Sequence, residues 1–398
     1  MLLGAAKVII TPPVGINLAG YSARDHGSES IAHDLEARIF WLEDTDSRTQ
    51  LCIVSADLIG FDYPLVQAIR QDAYEQFGLP AEHLLLAASH THSGPQTASS
   101  LEKAGGPTDP QYLVDLRGKI ITGIREACSE LCPVTVCLSK GWLSGYSINR
   151  RVLIDGAAIM APNPAGIRDD EVSVIIFKHE ATQQPVAALF QFTCHPTVLS
   201  GYAISPDYPG AARRCIEQAL PHVTVGFLQG CCGDVRPNCA LIGGRRFRGG
   251  LPQEAELFGR ALGEEVVQVI QKPAPAWPGR LNIAAVTVEL PFSEVPTTIP
   301  LQMNRYSIAE ELSLISFSGE VCCDYGLYIK GLLLPNHELI PVAYANGLVG
   351  YIPPARYYPE GGYEPIDSIR AYSLPSPFKP DIEGIIRQGV QRLVADLL

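Results

Sequence analysis

Apolar positions recur along this chain with two periods, one close to 2 and one close to 3.6. Apolar runs at 38–42 and 51–56, joined across Asp44-Thr45-Asp46-Ser47, predict a β-hairpin. Met1 to Val8 carries no basic residue before its apolar stretch. It runs into Ile9-Ile10-Thr11-Pro12-Pro13 and reads as a first strand, not a secretory leader. The spacing over 63–77 predicts a helix, with Asp62 as its cap and Gly78 just past its end. His83 to Ala88 reads as a short buried strand. A second helix is expected over 110–130, capped by Asp109 with Pro110 in its first position. Strands follow near 133–139, 171–178 and 185–193, then a helix near 209–219 and a strand at 223–228.

The Gly- and Arg-rich stretch 240–252 reads as an exposed loop, followed by a helix over 253–271 and Pro-rich punctuation at 273–278. Further strands are expected at 281–289, 312–317 and 339–344. Residues 350–380 hold many Pro, Tyr and Gly with little periodicity and read as a long functional loop. An amphipathic helix over about 381–397 closes the chain. With no repeat and no clear linker, one domain over 1–398 is expected, 273–280 being the single candidate boundary. The fold class is α/β, a mixed β-sheet core flanked by helices, with ligands gathering at strand carboxyl ends.

Composition narrows the function. An apolar share of 46% with 18% charged residues supports a large core, and 36 Gly with 32 Pro make the chain loop-rich. The net charge of −12 lacks the footprint of a nucleic-acid binder. No apolar run is long enough to span a membrane. Eleven cysteines, mostly inside apolar segments, fit free buried thiols in a reducing, cytoplasmic setting better than a disulfide framework.

Chemically capable residues follow several of the predicted strands. Ser89-His90-Thr91-His92-Ser93-Gly94-Pro95 follows the strand ending at Ala88. In extended backbone His90 and His92 point to one side, so one can bind a metal while the other works beside it; a hydrogen-bonded loop pair is the plainer alternative. Thr193-Cys194-His195-Pro196-Thr197, Gly230-Cys231-Cys232-Gly233-Asp234-Val235-Arg236-Pro237-Asn238 and Ser318-Gly319-Glu320 occupy equivalent places. Ser147-Ile148-Asn149-Arg150-Arg151 offers a guanidinium for an anionic group, and Asn346-Gly347-Leu348-Val349-Gly350-Tyr351 opens the tyrosine-rich loop. The pairs Cys231-Cys232 and Cys322-Cys323 read as packing, Asp207 as a helix cap, and Asp57 as a carboxylate partner for a ligating histidine. The Arg245-Arg246-Phe247-Arg248 run reads as a solvated loop able to attract an anion.

Taken in order, these segments resemble the N-terminal catalytic domain of the neutral/alkaline non-lysosomal ceramidases. The resemblance adds Ile10-Thr11-Pro12-Pro13-Val14-Gly15, His33-Asp34, Ser55-Ala56-Asp57-Leu58, and Tyr351-Ile352 through Tyr363-Glu364. It implies zinc ligands at His90, His195, Glu320 and Tyr351, with His92, Arg150 and Tyr363 touching substrate or aiding the chemistry. Arg236, Asn149 and Asp234 are taken as substrate-binding positions. Longer family members carry a C-terminal β-sandwich, which is not expected in this chain.

One position departs from the pattern. The family has serine in Gly-Asp-Val-Ser-Pro-Asn, and Arg236 stands there in this chain. A guanidinium cannot be a nucleophile and favours a carboxylate or phosphate. The expectation is therefore a zinc-dependent amide or ester hydrolase acting on a small polar or anionic substrate rather than ceramide. A catalytically inactive binding protein, and another metal-assisted reaction on a polyol or sugar derivative, stay open as alternatives. The oligomeric state is not encoded in any motif.

Overall fold

The structure is a computed structural model describing residues 1–239, 244 and 246–397. It is a mixed α/β fold, as expected. A 12-stranded sheet is its frame. One run of neighbours goes from Leu84–Ala88 through Gln50–Ala56, Glu36–Glu43 and Leu2–Ile9 to Cys132–Trp142, then Ala276–Pro291, Thr298–Ala309, Leu312–Phe317 and Glu338–Val342. From Cys132–Trp142 a branch leads to Glu171–His179, Pro185–Phe192 and Thr224–Gln229.

The expected hairpin forms with Ala37 opposite Ala56 and Glu43 opposite Gln50. The helix Tyr63–Phe77 starts at Asp62, whose carboxylate accepts from the Tyr63 N–H, and ends at Gly78 with φ +68°. The helix Pro110–Ser129 is capped by Asp109 and packs its Leu116, Ile120 and Ile124 face against the sheet. The helices Asp207–Ala219 and Pro252–Gln271 cover the branch, with Tyr208 stacked on Phe258 at 4.0 Å. Asp207 does serve the first of these helices, accepting from the Tyr208 N–H, and also from the Leu199 N–H at 2.9 Å.

Three expectations change. The candidate boundary at 273–280 is crossed by a continuous 16-residue strand, Ala276–Pro291, whose first residues pair with Cys137 and Val136. The hairpin Ser147–Ile154 with Ala157–Asn163 was not anticipated; its turn is Asp155-Gly156, both with positive φ. The stretch 350–380 is not all loop: it contains the short strand Tyr351–Ile352 and the helix Tyr357–Glu360. Ala240 to Gly243 and Arg245 lie outside the described residues, so the 240–252 loop and the arginine run are seen only in part.

Parallel pairs place several carboxyl ends on one side. Gln50–Ala56 runs parallel to Leu84–Ala88, Pro185–Phe192 to Thr224–Gln229, and Leu312–Phe317 to Glu338–Val342. His90, His195, the Gly230–Asp234 turn and Glu320 all follow such ends.

Candidate metal centre

His90, His92 and His195 bring their ring nitrogens within 4.8 Å of one another. His90 and His92 do not meet by strand alternation, as expected from the sequence. His90 is left-handed, with φ +66°, because the chain leaves the sheet in a tight turn there. That turn still sets the rings together, Nε2 to Nε2 at 3.1 Å.

Each ring is held from behind by the backbone. His90 Nδ1 lies 2.6 Å from the Ile59 carbonyl, His92 Nδ1 3.1 Å from that of Gly20, and His195 Nδ1 2.7 Å from that of Cys232. A carbonyl oxygen only accepts, so each Nδ1 carries a hydrogen, and it is the Nε2 atom of each ring that is left to present a lone pair to a metal. Burial favours the neutral form of two of them: it pulls His195 down to about 4, and burial with the neighbouring rings pulls His92 well below the usual histidine value. Gly20 is required for this grip. With φ +92°, a Cβ on it would sit 2.2 Å from His92 Nδ1.

Glu320 completes the cluster. Its Oε2 lies 3.1 Å from His195 Nε2 and 3.3 Å from His90 Nε2. Burial alone would raise its pKa; only positive charge at the facing positions holds the carboxyl well below the usual range. Three Nε2 atoms and a carboxylate oxygen thus converge with no hydrogen between them, an arrangement that calls for a cation. The nitrogen and oxygen donor set fits a transition metal such as zinc, and the carbonyl grip on Nδ1 is the usual support for ligating histidines.

Strand pairing explains how Tyr351 reaches this group. Glu320–Val321 runs parallel to Tyr351–Ile352, with Glu320 and Tyr351 in register. Two phenols absent from the sequence reading also grip Glu320. Tyr372 donates to Oε1, and Tyr344 donates to Oε2 at 3.3 Å while stacking on His90 at 4.0 Å. Tyr344 also meets Cys232 Sγ at 3.2 Å. Neither phenol sits in a motif. Only the density of tyrosines in 350–380 pointed toward Tyr372, and Tyr344 sits in an apolar strand end that reads as core.

The cluster floors a cavity of about 260 Å³ whose lining includes His90, His92, Glu320, Tyr351, Tyr363 and Tyr372. Arg150 stands behind that wall, 5.3 Å from the ring centroids of both Tyr351 and Tyr363. It donates through Nε to the buried Glu364 at 2.7 Å, and Arg151 shares the same carboxylate. Asn149 and Asp234, expected against substrate, are spent on the scaffold and do not line the cavity. Asp234 accepts from the Cys323 N–H, from Asn149 Nδ2 and from the Tyr357 hydroxyl, while Asn149 also donates to the Ile167 carbonyl. Arg236 does not line the cavity either. Its guanidinium stacks on Phe247 at 4.3 Å, and its charge bears on Tyr21, whose ring meets His92 edge-on at 5.2 Å.

Asp57 corrects another expectation. It touches no histidine; its carboxylate pairs with Arg213 and accepts from the Glu36 N–H at 2.9 Å. The carbonyl of Ile59 takes the role foreseen for it. All eleven cysteines are free thiols, and the two adjacent pairs are buried. Among the described residues, no helix is long and apolar enough to cross a membrane.

The family described as neutral/alkaline non-lysosomal ceramidase, N-terminal, matches residues 1–245. The neutral ceramidase of Pseudomonas aeruginosa is 26% identical over 253 residues, which is 60% of this chain and 37% of that protein. That of Mycobacterium tuberculosis is 26% identical over 250 residues, 56% of this chain and 38% of its own length. The matches therefore span under two fifths of these relatives. The crystal structure of the Pseudomonas aeruginosa neutral ceramidase superposes with a TM-score of 0.79 at 18% identity, covering 99% of this chain and 74% of that one. A ceramidase complexed with C2 gives 0.80 at 17% identity, covering 99% and 75%.

Proposed function

Because this chain belongs to the neutral/alkaline non-lysosomal ceramidase family, we propose that it is a zinc-dependent hydrolase of an amide or ester bond in a small polar or anionic substrate. The observation that carries the reading is the convergence of His90, His92 and His195 within 4.8 Å of one another, with the Glu320 carboxylate against the Nε2 atoms of His195 and His90. His90, His195, Glu320 and Tyr351 hold the metal. When bound, zinc lowers the pKa of water to about 7 and polarises a carbonyl.

The remaining steps belong to the side chains. His92, fixed by the Gly20 carbonyl, moves a proton at its Nε2. Tyr363, in the cavity wall, donates its hydroxyl to the oxygen on which charge develops. Arg150 steadies Tyr351 and Tyr363 and adds positive potential behind them. Asn149 and Asp234 act as scaffold. Arg236 occupies the place of the family's serine without its chemistry, and the cavity is smaller than the roughly 300 Å³ at which sites for drug-sized ligands begin. Both points argue against ceramide as the substrate. The free thiols support a reducing, cytoplasmic setting, and pairing between residues 2 and 342 in one sheet supports a single domain.

The test is elemental analysis of protein purified without added metal, together with hydrolysis assays on ceramide and on small acylated amines and acids, for wild type and Arg236→Ser. About one equivalent of zinc is expected, as for one protein-held site, with cleavage confined to the small substrates. Efficient ceramide cleavage by the wild type, or no bound metal, overturns the proposal.

A further inference from the structure

The wall of the metal cavity carries two cations that the chemistry above does not use. Lys103, in the short helix Glu102–Gly105, and Arg370, just after the turn Asp367–Ile369, both line it and both are exposed. Among the described residues neither makes an ion pair, although most other arginines here do. Arg38, Arg117, Arg150, Arg151, Arg213 and Arg305 are each matched to a carboxylate. One carboxylate, Asp367, shares the wall without closing on either cation. In a chain of net charge −12, a cationic mouth above a metal cluster runs against the average surface. Its floor is also positive once a divalent ion is seated.

We propose that Lys103 and Arg370 form an anion-reading rim, and that the substrate is an N-acyl compound bearing a carboxylate, of the N-acyl amino acid kind. This deepens the hydrolase reading and rests on it for the site's location. Two separate side-chain cations suit a carboxylate. A short acyl group on such a head matches a cavity of about 260 Å³. The rim reads charge, so it separates an acid from its amide, two molecules of nearly equal shape.

The experiment compares an N-acetyl amino acid with its carboxamide by calorimetry on metal-loaded His92→Ala protein, and by kcat/KM on wild type. Lys103→Ala, Arg370→Ala and the double variant are made in both backgrounds. Exposed charge pairs are individually modest, so each single change should cut the preference for the acid about threefold. The double change should remove an initial preference of about tenfold, and raising salt should do the same. If the acid binds preferentially through these two residues but is never cleaved, the rim stands and the hydrolase reading falls. If acid and amide bind alike, if neither binds, or if the preference survives in the double variant, the rim is refuted whether or not the protein cleaves amides.

Discussion

Glu320→Gln separates metal binding from stability, and the hydrogen-bond inventory fixes the sign of each. In the metal-free protein the carboxylate faces two bare Nε2 lone pairs at 3.1 and 3.3 Å. An amide placed there keeps an acceptor toward Tyr372 and turns its NH2 toward His195 and His90, converting two repulsive contacts into two neutral hydrogen bonds, while Tyr344 gives up its long bond at that position and keeps Cys232 Sγ. Each bond is worth about 1 kcal/mol net, so with two gained and the Tyr344 bond lost, metal-free Glu320→Gln should be more stable than metal-free wild type by roughly 1 kcal/mol. The metal-bound comparison reverses. A ligand present at a thousand times its Kd stabilises by about 4 kcal/mol, which the variant forgoes. Thermal melts of both proteins, with and without a chelator, alongside elemental analysis, read all four corners. Chelation should lower the wild-type Tm by several degrees and leave the variant unchanged. A variant that keeps its full metal complement, or whose Tm falls well below that of chelated wild type, would refute the lone-pair reasoning.

His90→Ala and His195→Ala should each empty the site, whereas His92→Ala should keep its metal and lose turnover by about 10², the scale of a general acid–base group; metal loss in His92→Ala would make that ring a ligand instead. Gly20→Ala should lower kcat with little change in fold, since the added Cβ lands on the His92 ring; an unchanged rate would show the ring free to move aside. Asp207 is buried and its pKa is pushed up to about 6. A carboxyl raised on folding favours the folded state below its unfolded pKa near 4, and that contribution fades as pH rises through about 6. Urea titrations of wild type and Asp207→Asn at pH 5 and pH 7 should therefore show wild type gaining relative to the variant at the lower pH, and a pH-independent difference would count against the shift.

Much of the site was legible because its residues follow strand ends in short polar segments. His90, His195 and Glu320 each stand where an apolar run stops, and local pattern finds such places. The misreadings come from information that is not local. Asn149 and Asp234 look available in sequence, yet strand Val235–Pro237 pairs with Ser147–Asn149 and encloses both. Tyr344 and Tyr372 became partners of Glu320 through tertiary packing alone. The unanticipated hairpin did carry a signal, since Asp155-Gly156 between apolar alternations is a strong two-residue turn. The boundary at 273–280 failed because a strand begins inside it at Ala276, and of its prolines only Pro278 lies in that strand, where pairing is brief and a missing N–H costs little.

The carbonyls that grip the three histidines belong to Ile59, Gly20, Cys232 and Val235. A main-chain oxygen has no side-chain identity for mutation to erase. Ile59 and Val235 can drift to other residues that hold the same backbone path, and the imidazoles will still be aimed. The rings' aim is thus insulated from much of the substitution around it, while the outer wall that meets substrate is free to change. A scaffold built this way can be re-tasked: new specificity can be written into the rim by ordinary point mutations, one at a time, without passing through a form that has let go of its metal.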